Sequence, residues 1–217
     1  MSLIGQRKVA HHSSGLHRIL DRPRMYDRLQ RLLGAERARR RLVDDFLRPF
    51  PGARLLDVGC GTGSLLDYLP EDVEYVGFDL NPAYIEAARK RYGARGTFFS
   101  VRVGSESDVI GGSDFDFVVA TSLLHHLTHD EARHVLRSAL RFLRPGGVFF
   151  SSDNVLHEKQ SPIARFLISL DRGRNVRTPA GYRGLVEEFF PEIDAQLLTD
   201  LAPFPYSHYI IRAVAPR

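Results

Sequence analysis

Short apolar segments alternate along this chain with longer segments of helical periodicity, and this alternation restricts the possible folds more than any other feature. Strands that alternate with helices pair in parallel, because each helix carries the chain back across the sheet. The sequence therefore predicts an α/β domain whose sheet has helices on both faces. The segments that read as strands lie near 54–58, 74–78, 97–101, 115–120, 147–152, 193–198 and 206–214.

Two segments between these strands carry clear helix signals. Residues 83–93 place Ile85, Ala88 and Tyr92 on one side and end at a glycine, whereas residues 128–147 begin with acidic side chains and end at Pro-Gly-Gly. Both patterns predict amphipathic helices that pack on the sheet. Two later helices are predicted from Ser-Pro and Thr-Pro caps, at 161–170 and 178–190.

The composition fits one domain in a reducing compartment. A chain of 217 residues that is 43% hydrophobic is long enough to bury a sizeable core. Its single cysteine, Cys60, excludes a disulfide within the chain, and no Cys/His cluster has zinc spacing, so we expect no metal and a cytoplasmic location. No apolar run reaches the roughly 20 residues of a membrane span, and no signal-peptide core is present, so we expect a soluble protein.

Positive charge is concentrated at the N-terminus, where residues 1–50 carry twelve Lys or Arg against five Asp or Glu. Such a segment could contact nucleic acid or an anionic membrane. The same stretch also reads as an amphipathic helix. Its inward-facing residues would be Leu42, Val43, Phe46 and Leu47. Because no aromatic residues interleave with the arginines, we interpret them as a solvated helix face and expect no nucleic-acid partner.

Three glycines in five positions follow the first predicted strand. The strand ends in Asp57, and Gly59, Gly61 and Gly63 come next, before an apolar helix start. Glycines allow a tight turn and leave room for a ligand against free N–H groups, and ligands of open α/β sheets bind at the carboxyl ends of the strands. The alternative interpretation is a tight turn with a purely structural role.

An acidic residue at the end of the second strand separates two candidate cofactors. Asp79 lies about twenty residues downstream of the loop, where a carboxylate accepts hydrogen bonds from two ribose hydroxyls. Dinucleotide sites have the spacing G-x-G-x-x-G, whereas this loop has G-x-G-x-G after Asp57. Asp57 would repel a pyrophosphate and would tolerate the cationic amino group and sulfonium of S-adenosylmethionine. The pattern therefore favours S-adenosylmethionine over NAD.

Four ordered motifs resemble those of the class I S-adenosylmethionine-dependent methyltransferases of the small-molecule type. They are "LLDVGCGTG", "VGFDLNPAYIEAA", "DFDFVVATSLLHHL" and "LRPGGVFFSSD", within residues 37–153. The resemblance implies an open, mostly parallel seven-stranded sheet with helices on both faces and an antiparallel last strand. It divides the chain into a basic helical arm over the cofactor site, 1–36, and a methyltransferase domain, 37–217, with a substrate-covering insertion at about 154–190.

The resemblance also implies a set of cofactor contacts. Asp79 would hold the ribose, Leu80 would lie against the adenine, and a tyrosine of the N-terminal arm would close over the ligand. Many members have an aspartate for the adenine amine after the third strand, but this chain has none there, which leaves backbone near 103–105. The implied cofactor-binding residues are Tyr26, Asp57, Gly59, Cys60, Gly61, Gly63, Asp79, Leu80 and Ser122.

Two other motifs argue against particular chemistries. Residues 81–84, "NPAY", resemble the Asn-Pro-Pro-Tyr motif of amine and nucleobase methyltransferases, but that motif follows the fourth strand and this one follows the second. Base-directed methylation of nucleic acid is therefore not expected. The Asp153–Asn154 pair has no third acidic partner of the kind found in magnesium-dependent catechol-type enzymes, so no metal site is predicted.

Adjacent histidines after the fourth strand are the candidates for catalysis. Methyl transfer is an in-line displacement, so alignment and exclusion of water supply much of the acceleration and the protein needs only a base. An unperturbed imidazole suits proton abstraction from a hydroxyl. We expect His125 to be that base in the mouth of the site and His126 to pack under the loop, as in similar sequences; the alternative is that His125 only fills space.

Residues that cover the carboxyl edge of the sheet should select the acceptor. The last strand begins at that edge with Tyr206 and His208. The insertion offers a cluster of polar side chains above it, namely Arg172, Arg174, Arg177, Tyr182 and Arg183. Arginines suit a carboxylate or phosphate on the acceptor, although they could equally line a solvated loop.

Together these features predict methyl transfer from S-adenosylmethionine to a small-molecule acceptor, anionic if the arginines bind it, with oxygen slightly favoured over nitrogen as the acceptor atom. The alternatives are an NAD-linked oxidoreductase and a non-catalytic nucleotide-binding regulatory module. The sequence leaves the oligomeric state and the identity of the acceptor open.

Overall fold

The computed structural model describes residues 35–101, 114–170, 175–201 and 206–217. They form one seven-stranded sheet with helices packed on it. Its strands are β1 Arg54–Val58, β2 Glu74–Asp79, β3 Gly96–Ser100, β4 Phe115–Thr121, β5 Leu143–Asn154, β6 Glu192–Leu198 and β7 His208–Val214. Its α-helices are α1 Ala35–Arg41, α2 Pro82–Tyr92, α3 His129–Phe142, α4 Pro162–Leu170 and α5 Pro179–Glu187. Shorter helical turns lie at Leu42–Leu47, Ser64–Asp67 and Leu124–His126.

The strand order is β3-β2-β1-β4-β5-β7-β6, with β7 antiparallel to both of its neighbours and the remaining pairs parallel. The predicted fold is confirmed, including the antiparallel last strand. From β1 the chain moves outward to β2 and β3, then returns to place β4 on the other side of β1. This reversal opens a crevice at the carboxyl ends of β1 and β4, where open α/β sheets bind their ligands.

The helices begin and end where capping chemistry allows. Asn81 accepts a hydrogen bond from the Ala83 N–H and precedes a proline in the first turn of α2, which buries the three apolar residues predicted from its sequence. Thr128 and Glu131 form a reciprocal capping box at the start of α3. Local sequence therefore specifies both helix starts.

Strand β5 is longer than the sequence predicts. It begins directly after α3 at Leu143 and includes the Pro-Gly-Gly segment that reads as a helix end. Phe115 pairs with Leu143, and Phe117 pairs with Val148, so β5 accommodates extra residues opposite β4 at a bulge. Gly146 has a φ of +74° in this bulge, a backbone conformation that glycine adopts readily.

The N-terminal basic segment packs on the domain in the way that an amphipathic helix predicts. Val43 and Leu47 are buried, and Leu42 and Phe46 pack partly against the same apolar cluster. Arg41 pairs with Asp45 and with Asp200 at the surface. Residues 1–34 lie outside the described part of the chain. Among the described residues, no helix combines the length and apolar character needed to cross a membrane.

Candidate active site

The glycine loop after β1 gives its backbone N–H groups to the protein itself. Gly59 and Cys60 both donate to the Phe78 carbonyl oxygen, at 2.7 and 2.8 Å. Gly61 donates to Oδ2 of Asp79 at 2.9 Å. The expectation that these donors are free to meet a ligand is therefore wrong, because the end of β2 lies beside the loop and accepts from them.

This hydrogen bonding decides which ligand charge the loop favours. Phosphate recognition at a glycine loop depends on unpaired N–H groups at a helix N-terminus. Here three successive donors are already used, and the segment that follows is a single 3₁₀ turn, Ser64–Asp67, rather than an α-helix. Asp57 precedes Gly59 by two residues, and the carboxylate of Asp79 contacts the loop by accepting from the Gly61 N–H. The arrangement therefore favours a cationic or neutral ligand over a pyrophosphate.

Two of the loop glycines are required for different reasons. Gly61 has a φ of +55°, and a Cβ built on it would meet no atom within 4 Å, so its missing side chain leaves open space. Gly63 has a φ of +75°, and its Cβ would lie 2.8 Å from the Phe98 ring. Gly63 is therefore needed for packing against β3, whereas the backbone at Gly61 is open to a ligand.

Asp79 connects the two loops that flank the crevice. Its carboxylate accepts from Gly61 through Oδ2 and from the Asn81 N–H through Oδ1, at 2.9 and 2.8 Å. A carboxylate offers about four lone-pair positions, so two acceptor positions remain after these bonds. Leu80 follows with 62% of its surface exposed. A carboxylate beside an exposed apolar side chain has the form of a site for a ribose and its base.

Asp57 is buried at the end of β1. The Tyr75 hydroxyl donates to its Oδ2 at 2.7 Å, whereas Oδ1 has no hydrogen-bond partner among the described residues. Burial raises the pKa of this carboxyl to about 7, the Tyr75 hydrogen bond acts in the opposite direction, and the charge of Asp79 adds to the increase. A cation bound nearby would favour the ionised form and would interact with the unpartnered oxygen.

Cys60 contributes its backbone to the loop and its side chain to the core. The thiol is buried, and its Sγ lies where a Cβ on Gly77 would come within 2.8 Å. Burial, followed by the charge of Asp57, raises the pKa of the thiol. Cys60 is therefore an unreactive packing residue whose predicted ligand contact could come only from its main chain.

Ser122 turns the chain directly after β4. Its φ is +53°, and its N–H donates to the Ser152 carbonyl oxygen at 2.8 Å. A left-handed conformation costs a residue other than glycine about 1–2 kcal/mol. The hydrogen bond to β5 holds this conformation, which leaves Ser122 exposed at the carboxyl edge of the sheet.

The two adjacent histidines have the opposite burial to the one expected. His125 is only 2% exposed, and its Nδ1 lies 2.8 Å from Oδ1 of Asp153. The same oxygen accepts from the His125 backbone N–H at 3.1 Å. The ring of His126 is exposed and lies 4.1 Å, centroid to centroid, from that of His125. Asp153 on the neighbouring strand holds the first ring inside, so the burial of the two rings is the reverse of the one expected, and catalysis by His125 stays a prediction.

Strand β7 brings His208 to the same edge of the sheet, opposite Asn154. Burial lowers the pKa of His208 to about 4, with the Asp153 charge acting against this change, so the ring is neutral at physiological pH. Its Nδ1 is buried and has no partner among the described residues. Tyr206 is half-buried, with its ring centroid 6.4 Å from that of His208. The described residues contain no group of three His, Cys, Asp or Glu side chains that could hold a metal ion.

The described part of the predicted insertion is used for packing. Tyr182 is buried, and its hydroxyl donates to the Asn154 carbonyl oxygen at 2.9 Å. Arg177 donates to the carbonyl oxygens of Leu124 and Leu127 at 2.7 and 2.8 Å. In contrast to the expectation, neither side chain lies open to an acceptor, because both tie α5 and the segment before it to β5 and to the turn after β4. Arg172 and Arg174, together with Tyr26 and residues 103–105, lie outside the described residues.

Asp153 is the site residue that sequence reasoning missed. The sequence shows it only as the last residue of an apolar strand, paired in sequence with Asn154. The parallel pairing of Thr121 with Ser152 brings the ends of β4 and β5 together, which sets Asp153 beside His125. An acidic residue after a buried strand, next to a strand that ends in histidines, is the signal that could have revealed the pair.

Comparison with known proteins shows that part of the chain is similar to methyltransferases. Residues 56–149 match a family model described as a methyltransferase domain. An O-methyltransferase of Pyrenophora dematioidea is 31% identical over 155 residues, which cover 64% of this chain and 57% of that protein. The human thiol S-methyltransferase TMT1A is 29% identical over 120 residues, which cover 54% of this chain and 48% of that protein. The chain thus spans about half the length of these relatives.

A solved structure shows the same fold. The structure of human N-acetylserotonin methyltransferase in complex with S-adenosylmethionine superposes with a TM-score of 0.65 and 19% sequence identity. The match covers 90% of this chain and 55% of that one. At this identity the likeness concerns the arrangement of strands and helices.

Proposed function

Residues 56–149 form a methyltransferase domain, and on that premise we propose that this chain transfers the methyl group of S-adenosylmethionine to a small-molecule acceptor. We include a cytoplasmic location in this proposal. The single cysteine, Cys60, is free and buried, and free thiols are typical of proteins in a reducing compartment. The relatives described above lend no support to the NAD-linked alternative.

The observation that carries the proposal is the hydrogen bonding of the glycine loop. Its N–H groups at Gly59, Cys60 and Gly61 are donated to Phe78 and Asp79, so the loop offers no row of donors to a pyrophosphate. A ligand with a cationic amino group and a sulfonium suits a loop bordered by carboxyl groups. The same feature disfavours NAD on physical grounds.

The residues present fit this cofactor. Asp57 has a buried oxygen without a hydrogen-bond partner among the described residues, near the carboxyl end of β1 and beside the glycine loop. Asp79 retains acceptor positions for two ribose hydroxyls, and exposed Leu80 offers an apolar surface to the adenine. The open space at Gly61 leaves room for the methionine part.

Each of these side chains has a defined task in the proposed reaction. S-adenosylmethionine supplies, when bound, a methyl group attached to a good leaving group. Asp57, Asp79 and Leu80 bind and orient the cofactor, and the elements at the carboxyl edge exclude water from the crevice. His125 accepts the proton that an acceptor hydroxyl loses as the new carbon–oxygen bond forms.

The acceptor is a small molecule with a hydroxyl group. Named relatives include an O-methyltransferase and a thiol S-methyltransferase, so oxygen and sulfur are both represented among similar proteins. Tyr206 and His208 at the start of β7 are the described residues that we assign to acceptor binding. Arg172 and Arg174 would add affinity for an acidic group on the acceptor.

Calorimetry followed by an acceptor screen tests the proposal. S-adenosylmethionine and S-adenosylhomocysteine should bind in the micromolar range, and NAD should not bind. Phenols, aliphatic alcohols and thiols, each with and without a carboxylate, are then screened by production of S-adenosylhomocysteine. Binding of NAD alone would overturn the cofactor assignment. Cofactor binding without turnover across the screen would favour the non-catalytic nucleotide-binding module.

A further inference from the structure

A buried tyrosine of β2 holds the carboxyl group at the end of β1. Asp57 and Tyr75 are each 2% exposed, and the Tyr75 hydroxyl donates to Asp57 Oδ2 at 2.7 Å. Asp57 pairs with Gly77 across the two strands, so Tyr75 lies two residues along the neighbouring strand and on the same face. A Cβ on Gly77 would lie 3.0 Å from the Tyr75 ring, so this glycine leaves the room in which the ring approaches the carboxyl group.

The surroundings of this carboxyl group favour a bound proton. Its Oδ1 is buried without a hydrogen-bond partner among the described residues, and the donor to Oδ2 is a neutral hydroxyl. On the other side of β1, the residue paired with Asp57 is the buried, apolar Val119 of β4. Burial, opposed by the Tyr75 hydrogen bond, raises the pKa of the carboxyl group to about 7. The titratable or charged groups that face the Asp57–Tyr75 pair come from the glycine loop, β2, α1 and α2 and are Cys60, Asp79, Arg39 and Tyr92.

The charge of Asp57 is linked to the crevice without a direct contact. The charge of Asp79 raises the pKa of Asp57, and Asp79 accepts from the Gly61 N–H on the open side of the loop. Charges act on each other more strongly in a buried site than in water, because the effective dielectric constant is lower. A cation held at Gly61 and Asp79 therefore favours the ionised form of Asp57, and a proton on Asp57 opposes the binding of that cation.

We infer that Tyr75 is a positioning residue that holds the Asp57 carboxyl group, and that S-adenosylmethionine binds with loss of the proton from this group. The inference rests on the proposed function and extends it to a buried residue that acts on the cofactor only through Asp57. Because the Tyr75 hydroxyl donates to the ionised carboxylate, it extends cofactor binding to lower pH. Below the pKa of Asp57, one proton passes to solvent as the cofactor binds, and one returns to Asp57 when the crevice empties.

Calorimetry at several pH values tests the proton linkage. From about pH 5.5 to 7, the affinity of the wild-type chain for S-adenosylmethionine should rise by up to about tenfold per pH unit, as one linked proton requires. Asp57→Asn should lose this rise. Adenosine lacks the amino and sulfonium charges, so its affinity for the wild-type chain should change little with pH. The same rise in wild type and Asp57→Asn would overturn the inference.

Tyr75→Phe separates positioning of the carboxyl group from packing. The variant keeps the ring but loses the hydrogen bond to the ionised form, so the pH dependence of cofactor binding should move upward by about one unit or more. Affinity for S-adenosylmethionine should therefore fall about tenfold at pH 6 and should be nearly that of wild type at pH 9. The ligand titrates identically in both experiments, so its own ionisation cancels. A purely structural role predicts the same loss at every pH, and that result would overturn the inference.

Tyr92→Phe is the matched control for loss of a buried hydroxyl. Tyr92 of α2 is buried in the same apolar cluster as Tyr75, whereas the hydroxyl that donates to Asp57 is that of Tyr75. Tyr92→Phe should keep the wild-type pH dependence of cofactor affinity. An equal upward shift in this variant would overturn the specific role of Tyr75.

A measurement on the ligand-free protein separates this inference from the proposed function. ¹³C NMR follows the Asp57 carboxyl group, whose signal is assigned by its loss in Asp57→Asn. This carboxyl group should titrate near pH 7 in the wild-type chain, as its pKa of about 7 indicates, and at higher pH in Tyr75→Phe. If S-adenosylmethionine binds at no pH, the proposed function fails, whereas this titration still decides whether Tyr75 controls Asp57. An unchanged titration in folded Tyr75→Phe would overturn the inference.

Discussion

Gly61 combines a left-handed backbone with open space, and this combination makes it the most informative single position in the loop. Gly61→Val should abolish binding of S-adenosylmethionine, because the branched side chain would occupy the space beside the ligand. The variant should also lose stability, because a left-handed conformation costs a residue other than glycine about 1–2 kcal/mol. Thermal unfolding measures the loss of stability, and calorimetry measures the loss of affinity.

Gly52 provides the control for that experiment. It has a φ of +76°, and its Cβ would also meet nothing within 4 Å, but it lies in the turn before β1 rather than after it. Gly52→Val should therefore lose similar stability and keep full cofactor affinity. Unchanged affinity in a folded Gly61→Val variant would remove the loop from the binding site.

Asp79 is the residue whose carboxylate should carry most of the ribose recognition. Hydrogen bonds to a charged group contribute about 1.5–3 kcal/mol each, so Asp79→Ala should weaken S-adenosylmethionine binding by a few kcal/mol. Part of this loss of affinity would come from disturbance of the glycine loop, because the variant also loses the hydrogen bonds that Asp79 accepts from the Gly61 and Asn81 N–H groups. A 2′,3′-dideoxy analogue isolates the ribose contribution.

The analogue should bind wild-type protein much more weakly than S-adenosylmethionine, and the two ligands should bind Asp79→Ala almost equally. Calorimetry measures all four affinities. Equal affinities for both ligands in the wild-type protein would contradict the ribose assignment, whatever the variant does.

At the scale of elements, α3 depends on a local cap that the sequence encodes. Thr128 accepts from the Glu131 N–H, and Glu131 accepts from the Thr128 N–H at 2.9 Å. Thr128→Ala should lower the free energy of unfolding by about 1 kcal/mol, the usual cost of losing an N-cap hydroxyl. Thr128→Ser keeps the hydroxyl and should retain most of the stability. Urea denaturation measures both, and an equal loss in the two variants would place the effect outside the cap.

Helix and strand positions were predictable wherever a local signal defines them. β1 matches its predicted range of 54–58, and α2 and α3 begin at Pro82 and His129, each within one residue of the start of its predicted segment. The start of β5 was not predictable from Pro-Gly-Gly, because its pairing with Phe115 depends on where β4 lies in the sheet. A predicted helix after the glycine loop is instead the single 3₁₀ turn Ser64–Asp67.

For the whole molecule, Asp57 makes stability depend on pH. Burial raises its pKa from 3.8 to about 7, so between these values the folded chain holds a proton that the unfolded chain has lost. Stability from this group is therefore fully present below about pH 4 and is lost as pH rises through about 7. The size of the change is on the order of a few kcal/mol, since one pKa unit corresponds to about 1.36 kcal/mol.

Asp57→Asn isolates this contribution, because the amide oxygen still accepts from Tyr75 but does not titrate in this range. As pH rises from about 5 to about 7.5, the free energy of unfolding of the wild type should fall relative to that of the variant. His208, whose pKa is lowered to about 4, contributes with the opposite sign in both proteins and cancels. Urea denaturation across this range measures the difference, and a constant difference would contradict the proposed titration of Asp57.

The features that local chemistry encodes could be predicted from the amino-acid sequence. Hydrophobic periodicity and caps specified the strands, the helices and their alternation, and the alternation specified the sheet. The order Asp57, glycines, Asp79 specified a nucleotide-type crevice, since these residues follow the ends of adjacent strands.

The partners of the polar groups in that crevice depend on contacts between distant segments of the chain. Phe78 and Asp79 take the N–H groups of the glycine loop, Asp153 holds His125 inside, and Arg177 binds the turn after β4. Each of these contacts joins residues 18 or more positions apart, so no local pattern records it. Sheet pairing determines which donors and acceptors lie close enough to bond, whereas a sequence shows donors and acceptors without the distances between them.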